Sequence, residues 1–457
     1  MKRLLALLLA ISCVLSMTAC SKKPEKEEPY VPPVQGGYFQ ETEPVETEPV
    51  STTMPEITEP PETEPVIEET EPVIEETEPA PTEPELTFIE EARLKHEGNE
   101  LYFKYNLLSD PQKELYLMAC EAVEAGNKTF YLGDLKIDVD PAQEALKAMW
   151  YDHPEYFWYT SQYTINYMET KAFSVELSYY PELMSKFETN KIAFQRVVDA
   201  LVERAQEKSS VLDQERLIHD YIAKSTQYIE TPLDQTAWSC LIERKTVCAG
   251  YARAFQVVMM ELGIPCYLIT GDVVSSDGTV ERHAWNAVKI VDAFYAMDLT
   301  SNDCDEKDCI LYNKYNFAYS SFPGQYVVDE DSVAFPDCTE TRYSFKNTYG
   351  IDENVASAMS WADSSTVIYS LEEYKVFHEQ TCRYNGFGEW QCKYVVAGED
   401  VMRQIEEYIQ ACEYLDTYIT DIAKFNNISS FQIQESATRT IFEDVYGVTH
   451  TVVLTGQ

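Results

Sequence analysis

Three residues whose side chains can carry out acyl transfer occur in order in the middle of the sequence. Cys248 lies in TVCAGYARAF, His283 begins HAWNAVKI, and Asp298 lies in AMDLT. A thiolate can attack an amide carbonyl, an imidazole can give a proton to the leaving amine, and a carboxylate can orient the imidazole. These residue types predict a cysteine nucleophile with a histidine base and an orienting aspartate, provided that the fold brings them together.

The segment that begins at Cys248 has the spacing of a buried helix. Apolar side chains recur every three or four residues until Gly263 and Pro265 end the pattern. Cys248 is therefore expected in the first turn, where unpaired N–H groups and the helix dipole favour an anion such as a thiolate. The same N–H groups could receive the oxyanion of an acyl-transfer intermediate.

Strands are expected to position His283 and Asp298. The segments CYLITG, HAWNAVKI and AFYAMDLT have the length and apolar content of strands. A two-residue turn at Val291-Asp292 would place Asp298 opposite Trp285, so that His283 and Asp298 become diagonal neighbours on one face of the sheet. A shift of one residue in the pairing would separate them onto opposite faces.

These motifs together resemble the transglutaminase-like superfamily. The resemblance covers about residues 212–303 and consists of TVCAGYARAF, LGIPCYLITG, HAWNAVKI and FYAMDLT in this order. It implies an α+β, papain-like fold in which a helix that carries the cysteine packs on an antiparallel sheet. It also implies that Cys248 is the nucleophile, His283 the histidine and Asp298 the aspartate of a catalytic triad.

Two neighbouring positions also bear on the site. Trp238, in AWSCL, lies where relatives often have an aromatic residue ahead of the nucleophile. It is a candidate for the cleft wall or the oxyanion site, with ordinary core packing as the alternative. Ser301 follows Asp298-Leu-Thr where many relatives have tryptophan, so the wall behind the aspartate is expected to differ from theirs.

Two functions remain open from the sequence. One is a cysteine peptidase or amidase, or a transglutaminase, that acts on wall-associated proteins or peptides through an acyl-cysteine, with hydrolysis slightly preferred. The other is a non-catalytic adhesion or wall-binding protein that uses the same fold as a recognition module. No cofactor is expected, and no metal site either, because the six histidines are scattered and no short His/Cys pair has zinc-ligand spacing together with a partner pair.

The N-terminus has the features of an export signal. Residues 1–19 contain two basic residues, a short apolar run and a small-residue cleavage site, which is typical of a signal peptide. The stretch LSMTAC resembles the lipobox of bacterial lipoproteins, which implies that Cys20 becomes lipidated; a plain secretory signal is the alternative. We therefore expect a protein anchored by lipid at the extracytoplasmic face of the cell membrane.

The remaining chain divides by composition. Residues 20–86 are rich in Thr-Glu-Pro repeats and poor in large apolar side chains, which predicts a disordered linker. We expect α+β domains at 87–190 and 331–457 on either side of the transglutaminase-like domain at 191–330. A hairpin near the C-terminus is expected to turn at Tyr446-Gly447. The net charge of −43 argues against a nucleic-acid partner.

Overall fold

The computed structural model describes residues 86–304, 309–330, 334–411 and 418–456. The predicted signal peptide, Cys20 and the predicted linker up to residue 85 lie outside the described residues. The boundaries near residues 190 and 330 stay predictions. Within the described residues, no helix is long and apolar enough to cross a membrane.

Four helices and a small sheet form the first part of the described chain. The longest of these helices spans Asp110–Glu124. Its N-terminus is closed by a capping box between Ser109 and Gln112, and Gly126 follows its end with φ +66°. The antiparallel sheet has the strand order β1-β3-β2. The elements are α1 (Phe88–His96), α2 (Phe103–Asn106), α3 (Asp110–Glu124), β1 (Thr129–Tyr131), α4 (Val139–Asp152), β2 (Tyr159–Met168) and β3 (Lys171–Tyr179).

The middle of the chain combines a buried helix with an antiparallel sheet, as expected. The sheet has the strand order β11-β6-β7-β8, and α8 packs against β6 and β7. The elements of this middle part are α5 (Pro181–Met184), α6 (Phe187–Gln206), α7 (Val211–Ser225), β4 (Gln227–Tyr228), a π-helical turn (Ser239–Glu243), β5 (Lys245–Thr246), α8 (Cys248–Glu261), β6 (Cys266–Val274), β7 (Val280–Ile290), β8 (Ala293–Met297), α9 (Leu299–Asn302), β9 (Asp303–Cys304), β10 (Cys309–Ile310), a 3-10 turn (Tyr319–Ser321) and β11 (Tyr326–Val328).

Helix α8 lies at the centre of this arrangement. All residues from Ala249 to Met259 are buried, so the helix is surrounded by protein on every side. The expected helix end is confirmed, since Gly263 adopts φ +75° directly after the last turn. The apolar core around α8 is continuous with that of α3 and α4, and its members run from Ala92 to Ala356.

Gly250 allows the loop ahead of α8 to lie directly on the first turn of the helix. A Cβ at this position would come within 1.8 Å of Thr246 Oγ1 and 2.8 Å of the Asp234 carbonyl oxygen. We expect Gly250→Ala to destabilise the protein by about 1–3 kcal/mol, because overpacking forces backbone shifts. Urea unfolding at constant m-value measures this loss. Since alanine is the better helix former, stability equal to or above the wild type would contradict the packing argument.

The hairpin of β7 and β8 has the register that the sequence predicts. Ile290 pairs with Ala293 and Asn286 pairs with Met297, which confirms the two-residue turn at Val291-Asp292. Val291 adopts φ +59° in this turn. Asp298, the first residue after β8, therefore lies on the same face of the sheet as His283.

The C-terminal part is a second α+β arrangement, with a sheet in the order β12-β13-β15-β14. The expected hairpin exists, but its predicted turn at Tyr446-Gly447 is wrong, because the strands are joined at Glu443-Asp444 and Glu443 takes φ +56°. The elements are α10 (Phe345–Tyr349), α11 (Glu353–Ala362), β12 (Val367–Ile368), α12 (Leu371–Asn385), β13 (Gly388–Ala397), α13 (Glu399–Ala411), α14 (Tyr418–Phe425), β14 (Phe431–Phe442) and β15 (Val445–Gly456).

Candidate functional site

Cys248 is the first residue of α8 and is only partly buried. It packs at the edge of a small apolar cluster that includes Trp150 and Tyr151 from the end of α4. N–H groups at the start of a helix point away from its body and give this position a positive potential, although the Gly250 N–H already donates to the Val247 carbonyl oxygen at 3.0 Å. The thiol thus lies where an anion is favoured and where a substrate can reach it.

His283, on β7, lies between Cys248 and Asp298. Its Nε2 atom is 3.0 Å from Asp298 Oδ2, and Cys248 also lies within hydrogen-bonding reach of the ring. Because Nε2 is engaged by the carboxylate, Nδ1 is the nitrogen left for the thiol. The ring is stacked beside Trp285 at a centroid distance of 6.0 Å. The structure therefore brings together the three residues that the sequence singles out, and their catalytic role stays a prediction.

Asp298 is completely buried and caps the short helix α9. Besides His283, it accepts hydrogen bonds from the Ser301 N–H (3.1 Å), the Ser301 hydroxyl (2.7 Å) and the Tyr326 hydroxyl (2.7 Å). Burial alone would raise the pKa of this carboxyl, but the charge of His283 and these hydrogen bonds hold it well below its usual range. The carboxylate is thus fixed in its ionised form.

Ser301 and Tyr326 have roles that the sequence analysis did not assign. Ser301 is not a wall residue like the tryptophan of many relatives, because its hydroxyl binds the aspartate directly. The spacing Asp298-x-x-Ser301 is a helix N-cap pattern and could have indicated this contact. Tyr326 comes from β11 and has no local sequence signal, since its approach depends on the pairing of β11 with β6.

The Tyr326 hydroxyl provides one of the four hydrogen bonds to Asp298, so its removal should weaken the site without dismantling it. If the predicted triad transfers acyl groups, Tyr326→Phe should lower that rate about tenfold; it should also lower stability by about 1.5–3 kcal/mol, as for a hydrogen bond to a charged group. Steady-state kinetics and urea unfolding measure the two effects. Tyr295→Phe is the control, because this buried tyrosine lies on β8 and its hydroxyl has no hydrogen-bond partner among the described residues. Equal effects of the two variants would contradict this role of Tyr326.

The charge state of His283 follows from its two partners. Burial would lower its pKa, but the negative charge of Asp298 and the hydrogen bonds to Asp298 and Cys248 raise the pKa of His283 to about 10. The imidazole is therefore protonated at neutral pH.

The raised pKa of His283 predicts a pH-dependent contribution to stability. Since the folded-state value lies above the unfolded value of about 6.5, the contribution is complete below pH ~6.5 and is lost as pH rises through about 10. We expect His283→Gln to cost about 3 kcal/mol at pH 6, as for removal of one partner of a buried pair, and clearly less at pH 10. Urea unfolding at both pH values measures the difference. A cost that is independent of pH would contradict the ion pair.

No contact among the described residues joins Trp238 to Cys248, His283 or Asp298. Its ring stacks on Phe157 at a centroid distance of 5.1 Å, and its indole N–H donates to Glu243 Oε1 at 3.2 Å. The donor that an oxyanion would need is therefore already engaged. In this structure the aromatic wall beside Cys248 is formed by Trp150 and Tyr151, which lie about a hundred residues earlier and carry no motif.

Comparison with known proteins supports the class of the middle domain. Residues 197–299 match the family model of the transglutaminase-like superfamily, a range that includes Cys248, His283 and Asp298. This part of the chain is a transglutaminase-like domain. No curated protein matches the chain.

Two solved structures are among those that match. A crystal structure of a TGase is 18% identical, with 38% of this chain and 51% of that chain covered and a TM-score of 0.21. A candidate cysteine protease from Cytophaga hutchinsonii is 11% identical, with 48% and 85% covered and a TM-score of 0.21. The chain thus spans about half the length of the first of these proteins.

Proposed function

We propose that this protein is a thiol acyl-transfer enzyme that cleaves amide bonds of proteins or peptides at the cell envelope. The Cys248 thiolate attacks the amide carbonyl, and His283 gives its proton to the leaving amine as the C–N bond breaks. Water then attacks the thioester while His283 takes its proton, so that the C–S bond breaks, a carboxylic acid leaves and the thiolate–imidazolium pair is restored. Asp298 keeps the imidazole oriented through both steps.

One observation carries this proposal, namely the position of the His283 ring between the Cys248 thiol and the buried carboxylate of Asp298. A buried histidine with only a structural role needs no thiol at a helix N-terminus on its other side. The N–H groups of the first turn of α8 are candidates for stabilising the oxyanion. Hydrolysis is preferred over transamidation because water is always available as the acceptor.

The location at the envelope is part of the proposal and rests on sequence alone. Lipidation at Cys20 would anchor the chain outside the cytoplasmic membrane, and the Pro/Glu/Thr-rich residues 20–86 would hold the folded part away from it. Proteins and peptides of the cell wall would then be the substrates within reach.

The pH dependence of Cys248 alkylation tests the proposal without knowledge of the substrate. Iodoacetamide labelling of the purified protein, read by mass spectrometry at Cys248, should stay fast as pH falls from 8 to 6. In His283→Gln the rate should drop by about tenfold or more over the same interval, because only the thiolate reacts.

His219→Gln is the matched control. His219 is also buried and hydrogen-bonded, to Asp220 and Asn302, but it does not contact Cys248 in the described structure. Its variant should keep the wild-type profile. A Cys248 that reacts slowly at neutral pH, with the same profile in wild type and His283→Gln, would overturn catalysis and favour the recognition module.

A further inference from the structure

Three potential metal ligands meet in the interior of the N-terminal part, outside the site described above. His96 ends α1, Cys120 lies in α3, and His153 follows α4. All three are buried, and one ligand atom from each lies within 4.8 Å of the other two. The Nε2 atoms of the two histidines are 3.1 Å apart, and Cys120 Sγ is 3.4 Å from Nε2 of His153.

The outer hydrogen bonds of the two rings determine which nitrogens carry protons. Nδ1 of His96 is 2.6 Å from the carbonyl oxygen of Ala92, which can only accept a hydrogen bond. Nδ1 of His153 is 2.6 Å from the carboxylate of Glu155. Each ring therefore carries a proton on Nδ1, which it donates to its oxygen acceptor. The lone pairs of the two Nε2 atoms then face each other. Two such lone pairs repel unless a proton or a metal ion lies between them.

Two of the three separations between ligand atoms fit a tetrahedral ion, and the third, between His96 and Cys120, lies within 4.8 Å. With zinc–nitrogen bonds of about 2.0–2.1 Å and a zinc–sulfur bond of about 2.3 Å, ligand atoms of a tetrahedron lie about 3.3 Å apart for two nitrogens and about 3.6 Å for nitrogen and sulfur. The observed separations of 3.1 and 3.4 Å are close to these values. The hydrogen bonds at Nδ1 are also those that orient histidine ligands in metal sites, to a carboxylate or a backbone carbonyl.

We propose that the protein binds a zinc ion through Nε2 of His96, Nε2 of His153 and the Cys120 thiolate. Binding forms three metal–ligand bonds and releases the thiol proton to solvent. The thiolate and the nearby Glu155 carboxylate together balance the two positive charges of the ion. The ring of Tyr156 is stacked on His153 at a centroid distance of 4.5 Å, and its hydroxyl is within hydrogen-bonding reach of Cys120.

The zinc would connect the N-terminal helices to the helix that carries the nucleophile. Arg253 of α8 donates to the carbonyl oxygens of His153 and Trp150, both at 2.9 Å. Gln256 of α8 donates to the carbonyl oxygen of Tyr151 at 2.9 Å. Fixing His153 by a metal therefore also fixes the segment whose aromatic side chains pack beside Cys248. This role is structural and does not depend on the proposed reaction.

Metal analysis of the purified full-length protein tests the site. After equilibration with zinc and removal of the unbound ion, elemental analysis by mass spectrometry should find about one zinc ion per chain in the wild type. Cys120→Ser should lose most of this zinc. Cys266→Ser should retain it, since Cys266 is equally buried but lies outside the cluster. Wild-type protein without zinc would overturn the proposal, as would equal zinc in Cys120→Ser.

Glu155→Gln provides a second test that does not remove a ligand. The variant keeps the shape of the side chain but weakens the acceptor of the His153 Nδ1–H group, so zinc affinity should fall about 10–100-fold. Competition with a chromophoric chelator measures the affinity. Affinity unchanged in this variant would overturn the arrangement, and binding of copper with exclusion of zinc would overturn the choice of metal.

Discussion

Cys248→Ala is expected to abolish acyl transfer. If the thiol is the nucleophile, its removal leaves His283 and Asp298 without a group to activate, and the covalent intermediate cannot form. Loss of a triad nucleophile lowers turnover by up to about 10⁶-fold, so the variant should fall to the background rate. The side chain is small and only partly buried, so the fold should tolerate the change.

The measurement uses p-nitrophenyl acetate as a general acyl donor. Attack by the thiolate breaks the ester C–O bond, forms an acetyl thioester and releases p-nitrophenolate, which is followed by absorbance. Mass spectrometry should locate the acetyl group on Cys248 in the wild type. Cys240→Ala is the control, because this cysteine is completely buried and should contribute nothing to the reaction. Acetylation in Cys248→Ala at the wild-type rate would contradict the assigned nucleophile.

The sequence predicts those parts of the site that depend on local patterns. The start of α8 follows from apolar spacing and from Gly263, and the register of β7 with β8 follows from a two-residue turn and period-two alternation. The first signal places Cys248 at a helix N-terminus and the second places His283 beside Asp298, whereas the packing of the helix on the hairpin is expected only from the resemblance to the transglutaminase-like superfamily. The motifs of the transglutaminase-like domain lie within these same elements, so the sequence alone predicts this domain.

The parts that the sequence does not predict depend on contacts between distant segments. Tyr326 reaches Asp298 only because β11 pairs with the far edge of β6, and Trp150 reaches Cys248 from the end of another helix. His96, Cys120 and His153 are separated by more than twenty residues each, so their spacing resembles no metal motif. Such contacts are determined by tertiary packing, for which one sequence carries no periodic signal.

The C-terminal hairpin illustrates how a local rule can mislead. Glycine after tyrosine indicated a turn at Tyr446-Gly447, since glycine is common in tight turns. In the structure Gly447 lies within β15, where a Cβ would come within 2.4 Å of the Trp361 ring. Glycine is needed at position 447 because the Trp361 side chain packs closely against the backbone there. The left-handed conformation of the turn is adopted by Glu443 instead.

Asp298→Asn is expected to have the second large effect. Asparagine in place of the orienting aspartate of a triad lowers turnover about 10⁴-fold, because the imidazole loses its correct tautomer and its charge partner. A similar loss, about 10³–10⁴-fold, should appear here in the p-nitrophenyl acetate reaction. Asn302→Asp is not a usable control because its side chain binds His219 and the Lys314 N–H, so Asp272→Asn serves instead, since the partly exposed Asp272 carboxylate pairs with Arg282 and not with His283.

The same substitution should change how stability depends on pH. Four donors point at the Asp298 carboxylate, whereas an amide offers one acceptor oxygen and turns its NH₂ group toward donors, at a cost of about 1–3 kcal/mol. Because the folded-state pKa of Asp298 lies below its unfolded value of about 3.9, its contribution is present above pH ~4 and is lost as pH falls further. Urea unfolding should therefore show the cost of Asp298→Asn at pH 7 shrinking toward pH 3. A constant cost would mean that packing, and not the buried carboxylate charge, stabilises this position.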